Sequence, residues 1–171
     1  GGLDCWGSDG TGQTTVPIGL FKTVSTGGSQ SCAVDVEGDL HCWGSGDLKP
    51  PSGENRRFRT VSTGPLHSCV LTEQGEALCW GDNEEAQADA PEGQFSQLSA
   101  GYAHTCAITD NNTLECWGDN TVGQTDPPSG NFQDISAGTN FTCALSSSGA
   151  VRCWGNDASE EMSLPDGSFV Q

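Results

Sequence analysis

Basic residues are scarce in this chain. Six Lys and Arg stand against 23 Asp and Glu, giving a formal net charge of −17 and a pI near 4.1. A surface of that sign repels nucleic acid and anionic membrane faces, so neither is expected as a partner. Apolar residues are few as well, at 33% with 7% aromatics, low for a chain held together by one large core. No apolar run is long enough to span a bilayer, and the first residues carry no signal-peptide pattern; any such segment would lie outside this stretch. Catalytic signatures are missing too. There is no Walker loop, no His-Glu-x-x-His and no EF-hand calcium loop. The serines occupy repeating turn positions, with no histidine and acid set beside a nucleophile elbow. The expectation is a non-enzymatic protein without a cofactor.

What the chain does have is repetition. "CWG" begins at Cys5, Cys42, Cys79, Cys116 and Cys153, always 37 residues apart. Cys32, Cys69, Cys106 and Cys143 keep the same interval, as do Phe21, Phe58, Phe95, Phe132 and Phe169. Val24, Val61, Leu98 and Ile135 follow in phase, and so do Gly27, Gly64, Gly101 and Gly138. A fixed period of this size marks a repeat architecture. The units run 21–57, 58–94, 95–131 and 132–168, preceded by the end of another unit in 1–20 and followed by the start of a further one in 169–171.

Each unit reads as three short strands, with room for a fourth edge strand in the polar loop. In the unit beginning at Phe132, "FQDIS", "TCALS" and "AVRCW" are short apolar-polar runs punctuated by Gly, Ser and Asn turns. No stretch carries the i, i+3, i+4, i+7 pattern of a helix. Gly38, Gly75, Asn112 and Gly149 share one position. Asn tolerates a left-handed backbone better than other non-glycine residues, so this position asks for φ above zero. A three-residue hairpin loop of the type I plus bulge kind wants such a residue last. With the loop at 36–38, Asp35 faces Asp39 and Cys32 falls opposite Cys42. The same count pairs Cys69 with Cys79, Cys106 with Cys116, and Cys143 with Cys153. Opposed strand residues are close enough for a disulfide.

Zinc is disfavoured, because there is no CxxC and His41, His67 and His104 are not spaced as ligands. A second pairing scheme, Cys42 with Cys69 and so on, would link successive units; hairpin geometry favours the first scheme. Either scheme points to an oxidising, extracytoplasmic compartment. Nine cysteines leave one over, Cys5, whose partner would lie ten residues upstream. Both ends cut through a unit, so the stretch reads as an excerpt of a longer chain.

"ISAGTNFTCALSSSGAVRCWGN" and "CWGDNTVGQTDPPSG" resemble repeats of the regulator of chromosome condensation family, and the resemblance runs the length of the chain. In unit length and in the "WGDN…GQ…P" pattern the chain is similar to bacterial propeller-type β-lactamase inhibitory proteins. In its cysteines it is similar to Crinkly-type receptor ectodomains. The resemblance implies an all-β fold: a β-propeller of 37-residue, mainly three-stranded blades with intra-blade disulfides. In stacked blades, Trp6, Trp43, Trp80, Trp117 and Trp154 lie on the face opposite the cysteines and fill the space between blades. The −17 charge means that the classical family's chromatin role does not transfer.

One polar loop breaks the acidic pattern. "SGDLKPPSGENRRFR" holds four of the six basic residues, Lys49, Arg56, Arg57 and Arg59. They are candidates for docking an acidic partner, including the acidic loops of a second copy; neutralisation of a crowded negative rim is the plainer alternative. The loops "DNEEAQADAPEG" and "NDASEEMSLPDG" read as a solvated rim rather than as calcium sites. Asn111 and Asn140 begin N-glycosylation sequons, with Asn111 on a hairpin tip and Asn140 in a more enclosed turn. The function expected is an extracellular recognition or structural module of a cell-surface or fibrous assembly, working through rim loops with a protein partner or by self-assembly. The alternative is a soluble enzyme inhibitor using one propeller face.

Overall fold

The computed structural model of the chain describes residues 1–45 and 56–156. Among these residues, twelve strands form four separate three-stranded antiparallel sheets, each sequential in order. The first sheet holds β1 (Phe21–Gly27), β2 (Gln30–Asp35) and β3 (Leu40–Gly44). The second holds β4 (Phe58–Thr63), β5 (His67–Thr72) and β6 (Ala77–Gly81). The third holds β7 (Phe95–Ala100), β8 (His104–Thr109) and β9 (Leu114–Gly118). The fourth holds β10 (Phe132–Ala137), β11 (Phe141–Ser146) and β12 (Val151–Gly155). These are blades of a propeller-type array. The polar loops 7–15, 81–89 and 118–126 contain no fourth strand. Their own side chains organise them instead: Asn83 Oδ1 and Asn120 Oδ1 accept the amides of Ala88 and Thr125, at 2.8 and 3.1 Å.

The hairpin between the second and third strands has the geometry that its left-handed position demands. φ is 92° at Gly38, 91° at Gly75, 63° at Asn112 and 84° at Gly149. Asp35 donates its amide to the Asp39 carbonyl at 3.0 Å, and Cys32 stands opposite Cys42. The tip then grips the following blade, because the carbonyls of Gly38, Gly75 and Asn112 each accept the amide of the next blade's leading Phe at 2.8 Å. Gly75→Val is expected to lower stability by more than roughly 1 kcal/mol, since a β-branched residue resists this φ. Gly75→Asn, copying Asn112, is expected to cost less. Urea midpoints of the two variants check the difference.

A bulge recurs in the first strand of every blade, between Phe21 and Thr23, Phe58 and Thr60, Phe95 and Gln97, and Phe132 and Asp134. It has a packing reason. Residues three apart in a regular strand face opposite ways. The extra residue lets Phe58 and Val61, Phe95 and Leu98, and Phe132 and Ile135 share a face.

The core lies between blades rather than within one. Cys32 and Val34 of the first blade pack against Phe58, Val61, Val70 and Trp80 of the second. Cys69 and Leu71 meet Phe95, Leu98 and Trp117, and Cys106 and Ile108 meet Phe132, Ile135 and Trp154. One face of a blade thus offers its disulfide and the other its tryptophan. A thin three-stranded sheet has both faces to cover, and successive copies cover each other.

Candidate functional site

Four disulfides close the hairpins, Cys32–Cys42, Cys69–Cys79, Cys106–Cys116 and Cys143–Cys153, with Cα separations of 4.0 to 4.1 Å. Each staples two strands of one blade. Cys5 is a free thiol beside a cavity of about 430 Å³, where Trp6 is 87% exposed.

Three polar contacts repeat from blade to blade across the apolar seams. In the first, a serine hydroxyl accepts an amide of the following blade's first strand. Thr63 donates to Ser25 Oγ at 2.9 Å, Ala100 to Ser62 Oγ at 3.0 Å, and Ala137 to Ser99 Oγ at 2.9 Å. In the second, the indole N–H of Trp43, Trp117 and Trp154 donates to the carbonyls of Gln13, Gln87 and Gln124, at 2.9 to 3.0 Å. This fixes the preceding loop against the next blade. The signal was present in the sequence, as a glutamine recurring in phase with the tryptophans.

The third contact uses a variable residue at the start of each second strand. Ser68 Oγ donates to Gln30 Oε1 at 3.2 Å across the first seam. His67 Nε2 lies 2.6 Å from Thr105 Oγ1 in the second seam, and His104 Nε2 lies 2.8 Å from Thr142 Oγ1 in the third. Both histidines are fully buried, and neither Nδ1 has a well-formed hydrogen bond. Burial pushes His67 down to about 4, with the Tyr102 backbone and the Asp82 carboxylate opposing it more weakly. Burial also lowers His104 to about 4, helped by the nearby His67 and opposed by Asp119. Both are neutral seam residues at pH 7, not exposed acid–base groups. Their spacing in the sequence spoke only against zinc ligation; the structure places them between blades.

Lys22, Arg56, Arg57 and Arg59 gather along the hairpin side of the first two blades. Arg57 forms an ion pair with Asp39, and Lys22 pairs with Glu73 at 3.1 Å. Both pairs cross the first seam, and being exposed they contribute little to stability. Arg59 is half-buried, with its guanidinium close to the Gly75 tip. Arg56 is exposed and lines a notch of about 320 Å³ with Arg57, Glu73 and Glu76. Lys49 lies outside the described residues, as do most of the acidic loop 156–167 and Phe169. Asn111 is exposed on its tip. Asn140 is half-buried, its carbonyl accepts the Asn156 amide at 2.9 Å, and the hydroxyl of its sequon, on Thr142, is buried against His104. Among the described residues no cluster of three or more His, Cys, Asp or Glu could hold a metal ion, and no helix is long and apolar enough to cross a membrane.

Solved structures share this architecture. The CRINKLY WD40 ectodomain of the Arabidopsis thaliana receptor kinase ACR4 is 25% identical with a TM-score of 0.72, covering 89% of this chain and 55% of its own. The entire ectodomain of the Physcomitrella patens receptor kinase CR4 is 24% identical with a TM-score of 0.83, covering 98% of this chain and 50% of its own. Prp20p from Saccharomyces cerevisiae is 20% identical with a TM-score of 0.68, covering 80% and 44%. The chain therefore spans about half the length of the solved relatives it matches. No curated protein sequence matches it. The family profile described as the regulator of chromosome condensation (RCC1) repeat matches residues 58–87, 95–124 and 132–159, together about half of the chain. With its 37-residue period and its three-stranded blades repeating in register, the chain belongs to the regulator of chromosome condensation (RCC1) repeat family.

Proposed function

We propose that the chain is a non-enzymatic recognition or structural module exposed outside the cell, working through the loops and hairpin tips at its rims. The observation that carries this reading is one disulfide per blade, in a fold similar to plant receptor-kinase ectodomains. Reducing compartments do not maintain such bridges. Labelling intact cells with a membrane-impermeant amine reagent tests it. Labelled native protein is the expected result, and protein found labelled only after lysis overturns the reading.

The partner surface belongs to the same proposal. The cluster of Arg56, Arg57 and Arg59, with Lys49 in the same loop, docks an acidic protein surface, and the acidic rim of a second copy is one such surface. Replacing Arg56, Arg57 and Arg59 together by Glu is expected to abolish salt-sensitive association in sedimentation velocity. Unchanged association removes the cluster from the interface. N-glycosylation at Asn111 adds to the reading, since the acceptor stands at an exposed tip while Asn140 is enclosed; a mass shift on glycosidase treatment, lost in Asn111→Gln, checks it.

A further inference from the structure

The three seams differ in one respect that the repeat itself would not require. At this position the first joins its blades through Gln30 and Ser68, which do not titrate, and its two exposed ion pairs, Lys22–Glu73 and Arg57–Asp39, add little to closure, whereas the second and third use His67 with Thr105 and His104 with Thr142. We propose that acid selectively loosens the second and third seams of the array and spares the first, so that the histidines make the blade stack a graded, pH-responsive hinge.

The argument rests on where each ring sits. His67 lies on β5, opposite Gly81 of β6, with β8 supplying Thr105 on the far side of the seam. The charged groups facing it are Asp82, just beyond β6, and His104. His104 lies on β8, opposite Gly118 of β9, with β11 supplying Thr142, and it faces Asp119 and His67. The two carboxylates favour the imidazolium, but burial outweighs them at both sites. A charge placed in either seam is poorly solvated, and opening the seam returns the ring to water.

The direction follows. Each ring binds its proton more weakly in the closed seam, at about 4, than when exposed, at 6.5. The histidine contribution to closure is therefore complete above about pH 6.5 and declines as the pH falls toward 4. Each opening constant rises by up to about tenfold per pH unit inside that window, or about 40-fold from pH 6.5 to 4.5. The disulfides lie within blades, so the blades themselves stay stapled while the seams between them open.

Every seam carries its own reporter, an amide bonded across it: Thr63 in the first, Ala100 in the second and Ala137 in the third. Hydrogen exchange on the whole chain, followed by NMR at pH 6.5 and 4.5 and corrected for intrinsic rates, tests the proposal. Protection at Ala100 and Ala137 is expected to fall about 40-fold while Thr63 changes less than about threefold. His67→Gln, which copies Gln30, is expected to remove the acid response at Ala100 and leave that of Ala137; His104→Gln does the converse. Equal acid loss at all three amides, unchanged protection at Ala100 and Ala137, or an acid response that survives in the matching Gln variant each overturns the proposal.

Discussion

Replacing Cys106 and Cys116 together by serine is expected to cost more stability than any other change within a single blade. Cross-linking a loop this short contributes roughly 2 to 3 kcal/mol through the unfolded chain. A second loss adds to it, because Cys106 is fully buried in the seam with Phe132, Ile135 and Trp154. A serine hydroxyl there would have only the Thr142 hydroxyl and the Gln124 carbonyl, 3.6 and 3.9 Å from the present sulfur, to bond to, and at those distances its burial costs about 1 to 3 kcal/mol more. The Cys143 and Cys153 pair is an internal comparison, since Cys143 is only half-buried. Its double serine variant is expected to lose mainly the loop-closure part. Urea unfolding followed by tryptophan fluorescence separates the two contributions. A loss below about 1 kcal/mol at Cys106 and Cys116 would mean that the hairpin is held by strand pairing alone.

Gly64→Ala is the second large effect, and it acts between blades. A Cβ at Gly64 would lie 2.3 Å from the carbonyl oxygen of Gly101 in the next blade and 3.2 Å from the His67 oxygen. A Cβ at Gly27 would lie 2.5 Å from the Gly64 oxygen and one at Gly101 would lie 2.6 Å from the Gly138 oxygen, so the glycines form a column where successive backbones approach too closely for any side chain. The obstructing atoms are main chain and cannot rotate away. The blades must separate, at a cost of roughly 1 to 3 kcal/mol for overpacking and with loss of the Ala100 bond to Ser62. Gly93→Ala is the control. Its Cβ would meet only the Phe95 ring, at 3.4 Å and beyond, so it is expected to change stability by less than about 0.5 kcal/mol. Thermal unfolding of the two variants decides the matter; equal midpoints would mean the blades are not in contact along this column.

Much of one blade is legible in the sequence because its determinants are local. The left-handed residue at Gly38, Gly75, Asn112 and Gly149 sets the loop, the loop sets the register, and the register opposes the cysteines. Phase alone places the tryptophans on the other face. The bulge was not legible, because "FRTV" carries no turn residue to mark it. Only the need to bring Phe58 and Val61 onto one seam requires the extra residue. The polar loop also reads as a strand candidate until its Asn and Gln side chains are seen capturing its own amides.

The seams are what tertiary structure decided. By itself the sequence determined a 37-residue unit, three strands, a stapled hairpin, an acidic surface and one basic loop. It could not say that Ser62 takes the Ala100 amide, that Trp117 reaches the Gln87 carbonyl, or that His67 is sealed against Thr105. Those partners stand 30 to 38 residues apart. Their meeting depends on how one sheet is rotated over the next, and local backbone preferences do not encode that rotation. A disulfide within a hairpin follows from counting residues along the chain; a contact between blades exists only once both blades are folded and stacked.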